Sequence, residues 1–150
     1  MIADFQKPVI EFEQVTGPNR LEELKQLFLD YNHSLNIDLA FQDFETELKT
    51  LPGKYAPPDG VLILALLNGQ GAGCIALRKI SENIGEMKRL YVRDEFRGLG
   101  IGRKLISIVI EEAKRLNYRY VRLDTLETLR NALSLYKAFG FYDIAPYVYN

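Results

Sequence analysis

Apolar and polar residues alternate from Val9 to Val15, the period of a half-buried strand, and Thr16-Gly17-Pro18 stops it. From Arg20 to about Asn36 the period becomes helical: Leu21, Leu24, Phe28, Tyr31 and Leu35 form one stripe, with Asn19 placed to cap it. Phe41, Phe44, Leu48 and Leu51 predict a second, shorter helix that Pro52-Gly53 ends, and Tyr55 to Gly60 predicts an irregular linker. Val61 to Leu67 is apolar without a break, as in a strand buried on both faces, and Asn68-Gly69 predicts a hairpin into a strand from Gly73 to Lys79. A turn at Ser81 to Asn83 delivers the chain to a strand over Glu86 to Val92.

The following stretch joins that strand to a helix through Arg97-Gly98-Leu99-Gly100-Ile101-Gly102-Arg103. Leu105, Val109, Ala113 and Leu116 fall at steps of four, four and three, one apolar helical face that begins inside the glycines. Tyr118 to Asp124 predicts a strand and Thr128 is placed to cap the next helix. Leu129, Ala132, Leu133 and Tyr136 supply that helix's stripe, Gly140 its left-handed terminator, and Phe141 and Tyr142 start a final extended segment. The order β, α, α, β, β, β, α, β, α, β predicts an α/β fold, a mixed sheet with helices on both faces.

Glycines at alternate positions let successive N–H groups turn inward and let a bulky anion approach the main chain. The helix N-terminus adds unpaired amides and the positive end of its dipole, and Arg97 and Arg103 stand at the rim. The spacing excludes a dinucleotide fingerprint, because the third glycine arrives one residue early and Arg103 takes its place. It also excludes a P-loop, which ends in Gly-Lys-Ser/Thr, and a kinase glycine loop, which lies between two strands.

The remaining pattern, R-x-x-G-x-G between a strand and a helix, resembles the acyl-CoA pyrophosphate loop of the GNAT superfamily of N-acyltransferases. The strand Glu86-Met87-Lys88-Arg89-Leu90-Tyr91-Val92 is similar to that family's fourth strand, and Ala132, Leu135-Tyr136 and Gly140-Phe141 match its C-terminal third. The resemblance implies a GNAT-like, mostly antiparallel mixed sheet in which the fourth and fifth strands splay apart to admit acetyl-CoA. It also implies direct acetyl transfer to an amine of a small molecule or peptide. On that basis the loop Arg97, Gly98, Leu99, Gly100, Ile101, Gly102 and Arg103 binds the coenzyme phosphates. The main chain of Leu90, Tyr91 and Val92 pairs with the pantetheine arm, as an exposed strand does with an added strand. A strand amide near Leu90 would polarise the thioester carbonyl.

Two catalytic residues are expected. Tyr136, at the family's Leu-Tyr position, faces the sulfur and offers its O–H to the leaving thiolate; the alternative is a core aromatic on a helix face. Glu86 lies four residues before Leu90, on the same face of a regular strand, as a base for the amine; the alternative is a structural carboxylate paired with Lys88 or an arginine. The base matters because an alkylamine of pKa ~10.4 is neutral in only about one molecule in 2500 at pH 7, equivalent to roughly 4.6 kcal/mol. Many family members carry an asparagine seven residues before the tyrosine; here that position is Leu129, and Asn131 lies on a different helix face. A non-catalytic CoA-binding module on the same fold is the competing functional class.

Composition narrows the rest. At 150 residues the chain has the length of one domain, with a formal net charge of −1 that argues against a nucleic-acid binder. Lys88, Arg89, Arg93, Arg97 and Arg103 nonetheless form a local basic patch, read either as coenzyme-phosphate contacts or as a solvated edge. One histidine and one cysteine exclude a conventional zinc site and an intrachain disulfide, so a reducing cytoplasm is the expected compartment. Met1 to Pro8 does not resemble a signal peptide, and the longest strongly apolar run, Val61 to Leu67, is too short for a membrane span. Cys74 reads as a core residue and His33 as surface or acceptor-side, with Tyr31 and Tyr55 bordering the acceptor mouth. The acids Asp38, Asp43, Glu45, Glu47 and Asp59 would suit a cationic amine. The chain stops ten residues after Gly140, where the family usually adds a strand, a turn and a last strand. A missing sheet partner is therefore expected, from truncation or because another subunit covers the edge, as in a homodimer.

Overall fold

The computed structural model describes residues 1–35, 43–124 and 130–145, with side chains for all of these except 130–132. In chain order the elements are β1 (Ile10–Gln14), α1 (Leu21–Ser34), α2 (Phe44–Thr50), β2 (Val61–Leu67), β3 (Gln70–Ser81), β4 (Ile84–Val92), α3 (Ile101–Arg115), β5 (Tyr120–Arg122) and α4 (Arg130–Ala138). Short 3-10 turns occupy Gly53–Tyr55 and Asp94–Phe96. The strands form one sheet in the order β1-β2-β3-β4-β5, antiparallel except for the parallel β4–β5 pair.

Strand β2 divides its side chains between two cores, as its unbroken apolar run requires. Leu62, Leu64 and Leu66 pack with Leu24, Leu27 and Phe28 of α1, Phe44 of α2, and Cys74 and Ala76 of β3. Val61, Ile63 and Ala65 pack on the opposite face with Ile75, Leu77 and Met87 and with Ile101, Leu105, Ile106, Val109 and Ala113 of α3. The predicted mixed sheet flanked by helices on both faces is the fold observed.

Helix α1 starts without a side-chain cap. Asn19 does not cap it; Arg20, at φ +72, occupies the cap position, and its Nη1 donates to Glu23 Oε1 at 2.8 Å. Burial makes this tolerable: each of Leu24, Leu27 and Phe28 contributes about 1.5–3 kcal/mol, against the ~1 kcal/mol of a missing cap. Phe41, Thr128 and Leu129 lie outside the described residues, so the caps and stripe expected there are not addressed. Asn68 and Gly69 turn β2 into β3 with φ of +50 and +82, the predicted hairpin geometry. Gly140, at φ +94, ends α4 as expected, with Phe141 N–H donating to Tyr136 O at 3.2 Å.

Two expectations change. Strand β5 is three residues long rather than seven, because only Ile84, Gly85 and Glu86 of β4 pair with it. Residues 141–145 form no strand, and the remainder of the expected last strand lies outside the described residues.

Candidate active site

The pairing of β3 with β4 contains two register shifts, and the one between Cys74 and Ala76 shapes the candidate site. Cys74 faces Tyr91 and Ala76 faces Lys88, so Ile75 alone opposes both Arg89 and Leu90. Arg89 adopts φ +63, unusual for a non-glycine residue, and the strand carries a β-bulge there. Neighbours hold the conformation. Arg89 Nε donates to Glu47 Oε2 at 2.9 Å and Nη2 to Glu47 Oε1 at 3.1 Å, while the Cys74 thiol donates to the Arg89 carbonyl at 3.3 Å. The guanidinium also lies 5.5 Å from the Phe44 ring centroid and 5.8 Å from that of Tyr31. Cys74 is thus the core residue predicted, with an added role at the bulge; burial pushes its thiol well above the ordinary range, so it stays protonated and able to donate.

The extra residue reverses the alternation beyond it. Leu90 and Val92 pack toward α3, and Tyr91 packs toward α1, its ring 6.3 Å from that of Tyr31. Glu86 and Lys88 pair with Arg78 and Ala76, on the α1 and α2 face of the sheet. Glu86 and Leu90 therefore do not share a face, contrary to the expectation for a regular strand. The basic patch divides for the same reason: Lys88 and Arg89 lie on the α1 and α2 face, and Arg93 pairs with Asp30 at 3.5 Å. Arg97 and Arg103 remain at the loop.

Glu86 is fully buried and ion-paired. Its Oε1 accepts from Arg78 Nε at 2.9 Å and lies 2.9 Å from Arg78 Nη2, and its Oε2 accepts from Arg122 Nε at 3.4 Å. Of the two readings of Glu86 made from sequence, this geometry supports the arginine-paired carboxylate.

Pairing of β4 with β5 stops at Glu86–Arg122, so on that side Leu90, Tyr91 and Val92 have no paired strand among the described residues. Val92 O accepts from Arg97 Nε at 3.2 Å, which ties the loop back onto the strand end. In the loop, Gly98 and Gly100 have φ of +84 and +79, and a Cβ on either would meet nothing within 4 Å. Positive φ explains why glycine serves there, and the open space is where an anion can reach the main chain. Ile101, almost fully buried, anchors the loop to the core, and a Cβ on Gly102 would lie 3.7 Å from both Leu135 and Val92. Helix α3 has no side-chain cap, and its first backbone bond runs from Lys104 N–H to Gly100 O at 3.1 Å. The amides of the preceding turn are available to an anion. Arg97, Leu99 and Arg103 are exposed, Arg97 lying 3.0 Å from Asp94 and Arg103 resting 5.8 Å from the Phe139 ring centroid.

Tyr136 of α4 is buried, its ring edge-on to Phe141 at 5.8 Å. Burial raises its pKa well above the ordinary phenol value, and the Tyr31 phenol adds a smaller push in the same direction. Tyr31 packs in the core on one face of the sheet and Tyr136 in the core on the other. His33 is exposed at the end of α1. Tyr55 is buried and donates to Glu47 Oε1 at 2.8 Å. Sequence reasoning did not identify Glu47 and Cys74 as supports of the bulge; only their distance from Arg89 in the fold reveals them.

Three of the acids that would suit a cationic amine lie beside cations or hydrogen-bond donors of this chain. Glu47 is taken by Arg89 and Tyr55, Glu45 lies 3.6 Å from Lys49, Asp59 lies 3.9 Å from Lys79, and Asp38 is outside the described residues. Among the described residues no cluster of metal-ligating side chains occurs, and no helix is long and apolar enough to cross a membrane.

An N-acetyltransferase of Schizosaccharomyces pombe is 39% identical over 94% of this chain and 88% of its own. An N-acetylaspartate synthetase of Danio rerio is 33% identical over 74% of this chain but 41% of its own. A GNAT-family acetyltransferase structure from Staphylococcus aureus superposes with a TM-score of 0.79 at 26% identity, covering 91% of this chain and 87% of that one. The acetyltransferase (GNAT) family profile matches residues 21–141, from α1 through the Tyr136–Phe141 contact, and the chain belongs to that family.

Proposed function

We propose that this protein transfers an acetyl group from acetyl-CoA directly to an amine of a small molecule or peptide. The observation that carries the reading is the end of β4–β5 pairing at Glu86, which leaves Leu90, Tyr91 and Val92 without a paired strand on that side among the described residues, with Leu90 and Val92 in the same core cluster as buried Tyr136. Gly98 to Gly102 hold the pyrophosphate on main-chain amides, with Arg97 and Arg103 at the rim. Leu90 to Val92 pair with the pantetheine arm, and the bulge turns the Leu90 amide toward the thioester carbonyl, where it stabilises developing negative charge. The amine nitrogen attacks the carbonyl carbon; the new C–N bond forms and the C–S bond breaks. Tyr136, kept protonated by burial, donates its O–H to the departing sulfur; the nitrogen releases its surplus proton to solvent, and Tyr136 regains one from solvent before the next turnover. Glu86 serves as the counter-ion of Arg78 and Arg122 and not as the base. The name of the Danio rerio relative specifies an amino-acid product, which supports a small-molecule acceptor here.

A thiol-release assay with acetyl-CoA over an amine library tests the reading. Amine-dependent thiol release is the expected result; acetyl-CoA binding without release from any amine would replace the enzyme with a CoA-binding module. The cradle has its own test. Gly100→Val places a branched side chain in the anion's space and strains a residue at φ +79, so both coenzyme affinity and thermal stability fall. Gly69→Val, at φ +82 in the β2–β3 turn with equally open surroundings, carries the same kind of strain and leaves acetyl-CoA affinity unchanged. Equal calorimetric affinities for both variants and wild type would remove the pyrophosphate assignment.

A further inference from the structure

We infer that Glu47 of α2 is a positioning residue for the transfer, holding Arg89 in its left-handed conformation so that the next amide, that of Leu90, is aimed at the thioester carbonyl; this rests on the N-acetyltransferase reading and adds a residue to its machinery. Arg89 and Leu90 together oppose Ile75, and Arg89 has φ +63. A bulge with its first residue in that conformation ordinarily has glycine there, because glycine has no Cβ to clash. This chain has an arginine, and the conformation is kept through its side chain.

Glu47 makes the hold directional. Its two carboxylate oxygens receive Arg89 Nε at 2.9 Å and Nη2 at 3.1 Å, a two-point contact that fixes the orientation of the guanidinium as well as its distance. The Tyr55 hydroxyl donates to Oε1 at 2.8 Å and so fixes the carboxylate in turn. Arg89 is 4% exposed, with the Phe44 and Tyr31 rings beside its guanidinium, so bulk water does not make good the loss of the Glu47 contact. Glu47 lies 42 residues earlier in the chain, on a helix that packs against the sheet face opposite α3. Where glycine would make the bulge independent of its surroundings, arginine makes it depend on α2.

An oxyanion donor lowers the barrier only when it is already aimed at the place where charge develops. A bulge that relaxes toward a regular strand moves the Leu90 amide out of line. The loss then falls on turnover and not on coenzyme binding, because the glycine loop begins beyond Val92. Glu47 acts through Arg89 and takes no proton from the amine.

The test compares Arg89→Gly with Arg89→Ala by thiol release at saturating acetyl-CoA, with the amine of highest wild-type turnover as acceptor. Both variants lose the guanidinium, and they differ in backbone freedom: glycine keeps φ +63 without strain and alanine does not. Arg89→Gly should therefore exceed Arg89→Ala by about fivefold or more in kcat, with equal acetyl-CoA affinities by calorimetry. A role of Arg89 in packing or acceptor binding predicts no advantage for the smaller residue. Glu47→Gln should lower kcat by about tenfold in wild type. In Arg89→Gly, where no guanidinium is left to hold, it should change kcat by less than about twofold. Arg89→Ala as active as Arg89→Gly, or Glu47→Gln equally harmful in both backgrounds or harmless in wild type, overturns the inference while leaving the acetyltransferase reading intact. If circular dichroism shows that the Arg89 variants do not fold, Glu47→Gln decides alone: a lower kcat with acceptor KM and the shape of the pH–rate profile kept supports positioning, and a loss carried by KM or a lost limb of the profile overturns it. If no amine releases thiol, the enzyme reading falls, and the Leu90 amide resonance of isotope-labelled protein, followed during acetyl-CoA titration, decides the positioning role separately. A shift in wild type that Glu47→Gln abolishes while acetyl-CoA still binds supports it; no shift in wild type, or the same shift in both, overturns it.

Discussion

Tyr136→Phe lowers turnover by ~10² or more while acetyl-CoA affinity changes little, the pattern expected when a proton donor is removed and its ring is kept. The ring alone accounts for the packing, since Tyr136 meets Phe141 edge-on through its aromatic carbons and phenylalanine preserves that contact. The thermal midpoint therefore stays near wild type, separating a chemical role from a structural one. Single-turnover rates and calorimetry on the same preparation provide the check. A variant with full turnover would return Tyr136 to the core.

Glu86→Ala has its effect on stability. Removing one fully buried carboxylate takes from Arg78 and Arg122 the acceptor they share across β4, and breaking a buried pair costs about 3–5 kcal/mol. For a chain of this size that corresponds to a thermal midpoint lower by roughly 6–20 °C. Glu86→Gln keeps the volume and one acceptor oxygen and separates the two readings of this residue. A positioning carboxylate predicts that the shape of the pH–rate profile survives in Glu86→Gln, because the ascending limb belongs to the amine. A base predicts that the ascending limb disappears. Loss of that limb with wild-type stability would restore Glu86 as the base.

Much of the architecture was legible in the chain because it follows from local periodicity. The unbroken run Val61 to Leu67 signalled a strand buried on both faces, and its alternate residues divide between two cores. The stripe through Leu105, Val109 and Ala113 signalled α3, and each of these residues is buried. Gly98 and Gly100 signalled an open loop, and both adopt the left-handed conformation. These features depend on residues within a few positions of one another, so a linear reading reaches them.

The bulge depended on tertiary structure. A strand's period is two only while each residue has one partner, and whether Arg89 and Leu90 share a single partner is decided by β3, in which Ile75 opposes both. Nothing in Glu-Met-Lys-Arg-Leu-Tyr-Val announces the extra residue. Its supports come from distant parts of the chain, Glu47 on α2 and Cys74 on β3, and its effect is to send Glu86 and Leu90 to opposite faces. Sequence by itself indicated most of the elements and the glycine-rich loop that joins β4 to α3. Only the packed sheet decided which face each residue of β4 presents, because that depends on hydrogen-bond pairing between strands and not on the order of residues along one of them.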